Sequence, residues 1–264
     1  MRPCLGWSLI LSVNMQTMLG GIDLEVARTY TDRTYDLTLG AGADLFQKFA
    51  ARDQAVRVVQ YTARGLRGLL SALGFTPQDS AYRKASNVFL RTASSRRTFR
   101  WLSFYPSFLQ VWNVLNGSEA WGWGTEAHKK VLFLTSRLTL ILFEFFDKCL
   151  WLAETNTVFS RTRKKKWLDL GFGLLAVACG LTAIHHAEEA YFKQSNGKEK
   201  RAESRKNMYK FVMNMFANAH VSGLYKTHDI LCGIFGSLSS TMALLDMYPM
   251  KKTGGGGGKR LGRK

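Results

Sequence analysis

The chain has 264 residues, with 37 Lys and Arg against 19 Asp and Glu, a formal charge of +18 and a sequence pI near 10.0. With 46% hydrophobic residues, 17 Phe and only four Pro, it is too apolar to be disordered, and its basic surface should seek an anionic partner such as phospholipid or nucleic acid. Cys4, Cys149, Cys179 and Cys232 show no CxxC pair or zinc spacing, so they read as packing residues in a reducing compartment rather than a metal or disulfide framework.

Residues 1–43 have weak periodicity and form an N-terminal extension. Their apolar run after Arg2 has no clear cleavage site and is too short to cross a bilayer. A helix is expected from Asp44, capped by its own carboxylate with Gln47 reaching back. Leu45, Phe49, Val56, Val59, Ala63, Leu66, Leu70 and Leu73 then recur at three-four spacing, placing Arg57, Arg64 and Arg67 on the outer side. The helix should end near Pro77.

From Tyr82 to Leu109, cations alternate with aromatic and aliphatic residues. On a helical wheel Tyr82, Ala85, Val88, Phe89 and Ala93 share one side, with Lys84 and Arg91 nearly opposite. Arg96 and Arg100 rotate towards the apolar side, which predicts a bend or a second helix near Ser94–Ser95, and Pro106 predicts a break or a kink. A basic face beside an apolar one suits the boundary between anionic headgroups and acyl chains. Tyr82, Val88, Phe89, Phe99 and Trp101 are the expected apolar contacts, and Lys84, Arg91, Arg96, Arg97 and Arg100 the headgroup contacts. Residues 44–157 thus form an amphipathic, membrane-associated region.

Val131–Leu152 is long enough to span but carries Arg137, Glu144, Asp147 and Lys148. A buried or interfacial amphipathic helix is favoured over a span. After the basic cluster Arg161–Lys166, residues 167–186 form the first predicted transmembrane helix, matching a hydrocarbon core of about 30 Å. The second is 228–248. Gly173 and Gly180, and Gly233 and Gly236 in the second span, would admit close helix packing. Residues 187–227 form a basic inter-span segment with a surface helix near Met208–Tyr225, and 249–264 a flexible basic tail. Two spans place both termini on one side; the Arg161 cluster makes that side cytosolic, while the basic inter-span loop argues the opposite.

His185 and Glu189 stand one turn apart, a spacing that could hold a metal, but no second ligand pair accompanies them and a solvated helix end is the simpler reading. No nucleophile elbow, phosphate loop or dinucleotide fingerprint occurs, so no enzyme, catalytic residue, metal or cofactor is expected. No nucleic-acid-binding module appears either. The fold class expected is an all-α integral membrane protein, with amphipathic N-terminal helices followed by two transmembrane helices.

The segment Leu45-Phe46-Gln47-Lys48-Phe49 through Arg52-Asp53 to Gln60-Tyr61 resembles the opening helix of the peroxin-11 family. Ser95-Arg96-Arg97-Thr98-Phe99-Arg100 is similar to that family's Ser-Arg-Lys-hydrophobic-Phe-Arg helix, with Arg97 in place of Lys and polar Thr98 in place of an aliphatic residue. Asp229 to Tyr248, with Gly233, Gly236, Ser239 and Ser240, resembles its last span. The resemblance implies an integral protein of the peroxisomal or glycosomal membrane that promotes curvature, elongation and organelle division. It also implies self-association and cooperation with a fission machinery containing a dynamin-like GTPase. A pore for small metabolites is the alternative function.

Overall fold

The computed structural model describes residues 49–100, 104–116, 123, 126–155, 164–193 and 197–248, apart from the side chains of Phe49, Thr98 and Phe99. Seven α-helices and no strand occur among them: α1 (Phe49–Ala72), α2 (Ser80–Phe99), α3 (Phe104–Leu115), α4 (Ala127–Glu154), α5 (Lys164–Ala187, continued by a π-helical turn Glu188–Phe192), α6 (Lys198–Ser222) and α7 (Asp229–Met247). The expected start at Asp44, the N-terminal extension and the basic tail lie outside the described residues.

Local chemistry sets several boundaries. Gly74 has φ +90°, and the Phe75 amide donates to the Leu70 carbonyl at 3.0 Å, a left-handed closure that satisfies the open end of α1. Asp79 then accepts from the Thr76 amide at 2.6 Å, folding the turn into α2. Pro106 does not break a helix. It is the third residue of α3, in the first turn, where its missing N–H has no intrahelical partner to lose. Nor is α2 interrupted at Ser94–Ser95; it continues to Phe99.

The helices pack largely antiparallel. α4 and α5 are joined at one end by Glu154–Lys164 (2.9 Å) and at the other by Lys129–Glu189 (2.8 Å), with Ser136 bonded to Thr182 at 3.0 Å between them. α6 runs back along α5, stacking Phe211 on His186 and setting Met215 against Gly180. α7 runs back along α6, from His220–Asp229 (2.9 Å) to Lys206–Asp246 (2.8 Å). α1 lies antiparallel on α7, α2 covers α1, and α3 packs Val114 against Trp123 and Phe133 of the α4 region. Within the inter-span segment, Lys198–Ser222 is therefore one long helix held between its neighbours.

Gly233 is where α7 meets α1 most closely. A Cβ there would overlap the Gly65 backbone, and one on Gly236 would overlap the Tyr61 ring. Gly180 and Gly173 are less confined: a Cβ added to them would lie 3.1 Å from the Met215 sulfur and 3.4 Å from Leu224 Cδ1. Gly233→Ala should therefore destabilise the purified protein by about 1–3 kcal/mol through overpacking, whereas Gly180→Ala should cost less because Met215 can yield. Thermal unfolding in detergent, followed by circular dichroism, gives the order.

Candidate membrane interface

The three C-terminal arginines of α2 turn into the protein. Arg96 makes two bonds to the Asp53 carboxylate, at 2.8 and 3.0 Å, and a third to Gln60 at 2.6 Å. Arg97 reaches Glu154 at 2.6 Å and Asp147 at 3.3 Å. Arg100 pairs with Asp147 at 3.2 Å and lies 3.7 Å from Asp53. The expectation that Arg96, Arg97 and Arg100 contact headgroups is corrected: carboxylates on α1 and α4 lie within reach, and a buried guanidinium needs such a partner. The same pairing explains why the drift in hydrophobic register produces no bend.

These charges perturb one another. Burial would raise the Asp53 carboxyl, but the adjoining Arg96 and Arg100 hold it below its ordinary value. Burial, with the neighbouring Arg100, lowers Arg96 to about 10 even against the pull of Asp53. Burial also opposes the Arg100 charge, yet Asp147, Asp53 and Glu144 together raise it above the ordinary guanidinium range.

The outer face of α2 is different. Arg83, Lys84 and Arg91 are exposed beside Val88 and Leu90, while Ala85 is buried against the bundle. Tyr82 is half-buried, and Phe89 faces inward under the guanidinium groups of Arg64 and Arg67, 5.4 and 5.1 Å from its ring centre. Of the predicted membrane contacts, Lys84, Val88 and Arg91 therefore share the open face. The Phe99 side chain and Trp101 lie outside the described residues.

On the other helices the usual arrangement of a water-soluble protein is inverted. In α1, Arg57 donates to Asn214 at 2.7 Å, and Arg64 and Arg67 bind Asp229 at 2.9 and 2.5 Å, so these arginines lie inward rather than on the outer side. Val59, Leu66 and Leu69 are exposed instead. In α4, Glu144 and Asp147 are buried, Lys148 pairs with Glu144, and Arg137 lies over the Phe133 ring. The exposed residues between Val131 and Phe145 are Val131, Thr135, Leu138, Leu142 and Phe145. α3 carries no charge and exposes Phe104, Tyr105, Phe108, Leu109, Trp112 and Leu115. An apolar surface of this extent is uncommon on a soluble monomer, whereas charges turned inward and hydrocarbon turned outward suit a lipid environment.

Two helical stretches are long and apolar enough to cross a membrane, Lys164–Phe192 and Asp229–Met247. The model of the family described as peroxisomal biogenesis factor 11 (PEX11) matches residues 41–248. The chain belongs to the PEX11 family. Comparison with curated proteins and with solved structures gives no match. Family membership gives this PEX11 protein a general role in peroxisomal membrane proliferation and associates it with the peroxisomal membrane. PEX11 is a biogenesis factor family and not a known enzyme family.

The end of α5 is not solvated as expected. His185 is buried and stacks on Trp123 with ring centres 4.0 Å apart, and Glu189 accepts from Lys129. A separate group, Glu126, His128 and Glu188, gathers nearby, but the Lys129 ammonium sits 2.7 Å from Glu126 and 3.5 Å from Glu188 and supplies their counter-charge. Among the residues sequence reasoning missed are Asp53 and Glu154, which with Asp147 are the acceptors that hold α2, and Gly65 and Gly68, where α1 approaches α7. The small-residue spacing Gly65-x-x-Gly68 was the available signal for the glycines.

Because folding lowers the Asp53 pKa, its contribution is present at neutral pH and is lost as pH falls through the folded-state value. The sign follows from proton linkage, since the unfolded state takes up the proton first. Thermal stability should decline below roughly pH 4, and Asp53→Asn should lower stability at pH 7 while flattening part of that acid limb. Circular dichroism melts from pH 7 to pH 3 in detergent measure both.

Proposed function

We propose that this PEX11 protein elongates the peroxisomal membrane by loading one leaflet more than the other. α5 and α7 anchor the bundle, and α2 lies at the headgroup boundary of the leaflet facing it. The observation that carries the reading is the division of labour on α2. Arg96, Arg97 and Arg100 fasten the helix to α1 and α4, while Arg83, Lys84 and Arg91 point outward beside Val88 and Leu90.

Each cation near an anionic surface contributes on the order of 1 kcal/mol. A helix fixed at that level widens the protein in one leaflet only, and such asymmetric expansion favours curvature. Held to the bundle by ion pairs, α2 acts as a rigid wedge that need not unfold from the protein to reach lipid. The self-association and the fission machinery with a dynamin-like GTPase implied by the family resemblance belong to this same proposal, as the means of concentrating and then severing the elongated membrane.

The test is reconstitution of the full chain into vesicles containing about 30% anionic lipid at low salt, with tubules counted by electron microscopy. Lys84→Glu with Arg91→Glu should reduce tubulation at least several-fold without changing helix content, and raised salt should weaken the wild-type effect through screening. Tubulation unchanged by the double reversal would refute the role given to α2. Release of small solutes without any change of vesicle shape would favour the pore reading instead.

A further inference from the structure

α5 and α7 start at the same end of the bundle. Lys164 opens α5 beside Glu154, and Gly173, two turns further on, faces Ser222 and Leu224 at the turn leading into α7. At that turn His220 bonds Asp229, the first residue of α7. The two apolar helices therefore run in parallel. If both cross a bilayer, the chain between them must return through its thickness, and what lies between them is α6.

α6 is built for that return. Its 25 residues extend about 37 Å, and it packs antiparallel on both neighbours. The section beside the apolar part of α5, Asn207 to Ser222, contains Lys210 as its one Lys, Arg, Asp or Glu, and Lys210 bonds Asp246 at 2.8 Å. Lys206, wholly buried, shares the same carboxylate at 2.8 Å. Asn214 accepts from Arg57 and Ser239 at 2.7 Å each. Polar groups facing partners inside a bundle are what hydrocarbon tolerates.

α4 meets the same conditions. It has 28 residues, about 42 Å, and lies antiparallel to α5 over its whole length. Its ends are pinned level with those of α5 by Glu154–Lys164 and Lys129–Glu189. Glu144, Asp147 and Lys148, which argued against a span in the sequence, are directed to α2 and to one another. The exposed stripe from Val131 to Phe145 is uncharged.

Resting on the reading that α5 and α7 cross the bilayer, we propose that α4 and α6 cross it as well, making the protein a four-pass helical body. Residues near Ala127, Gly197 and the end of α7 lie on one side of the membrane. Residues near Thr155 and Lys226 lie on the other. The side chains that look like disqualifying charges form the interior of this body, and acyl chains cover its outside.

The experiment uses the full chain in sealed peroxisomes. Single cysteines are introduced by Ala127→Cys, Thr155→Cys, Gly197→Cys and Lys226→Cys, all at exposed positions, in a Cys4→Ser background whose buried Cys149, Cys179 and Cys232 set the baseline. A membrane-impermeant maleimide is applied before and after detergent. The expected result is that positions 127 and 197 label alike, positions 155 and 226 label alike, and the two pairs differ at least tenfold before detergent. Labelling of 127 and 155 from one side overturns the crossing of α4, and labelling of 197 and 226 from one side overturns that of α6. If 155 and 197 label from one side, α5 itself does not span, and the underlying reading fails rather than this extension of it. Protease protection of short epitope tags inserted at the same four positions supplies a second readout for any variant that does not accumulate.

Discussion

Carboxylates are the scarce component of this protein, 19 of them against 37 Lys and Arg, and the bundle is organised by sharing them. Asp53 lies between Arg96 and Arg100, Asp147 between Arg97 and Arg100, and Glu154 between Arg97 and Lys164. Asp229 binds Arg64, Arg67 and His220, while Asp246 binds Lys206 and Lys210. Each bridges at least two cations, so one acidic group can join two or three helices. A buried charge without such a partner would be strongly destabilising. The surplus of cations left over is what the surface displays.

This arrangement gives the two ends of α2 different jobs. Its last turn supplies cations to carboxylates fixed on α1 and α4, so the helix is docked before it meets lipid. Among the described residues, no ion pair draws Lys84 or Arg91, which precede that last turn, into the bundle, and these side chains stay at the surface. A helix whose two-faced sequence alone would predict simple insertion is thus split into an anchored segment and a displayed one. Curvature generated from such a helix depends on where the bundle holds it as well as on how amphipathic it is.

Much of the fold was legible in the chain. The apolar composition and small residues of α5 and α7 marked the two candidate spans, and their glycines marked close contacts, because these are properties of short windows. The helical start and stop signals near Gly74 and Pro77 were local as well. What could not be read was the direction in which each amphipathic face points. The periodicity of Val56, Val59, Ala63 and Leu66 defines one pole of α1 and Arg57 with Arg64 a second about a third of a turn round, and the fold divides the first, burying Ala63 beside Arg64 and exposing Val59 and Leu66. Which pole faces the core depends on whether water or hydrocarbon surrounds the bundle, and periodicity carries no information about the surroundings.

The same ambiguity explains the treatment of α4. In water, Arg137, Glu144, Asp147 and Lys148 would be expected outside, and their presence counts against a membrane span. In a bundle where Asp147 meets Arg97 and Arg100 and Glu144 meets Lys148, these three α4 side chains are partnered within the protein, and their number ceases to measure the cost of burial in lipid. That cost is set by charges left facing acyl chains, and the exposed positions between Val131 and Phe145 hold none. A count of ionisable residues in a candidate span is informative only once their partners are known, and the partners of α4 lie about 50 residues upstream, in a helix that no window over α4 includes.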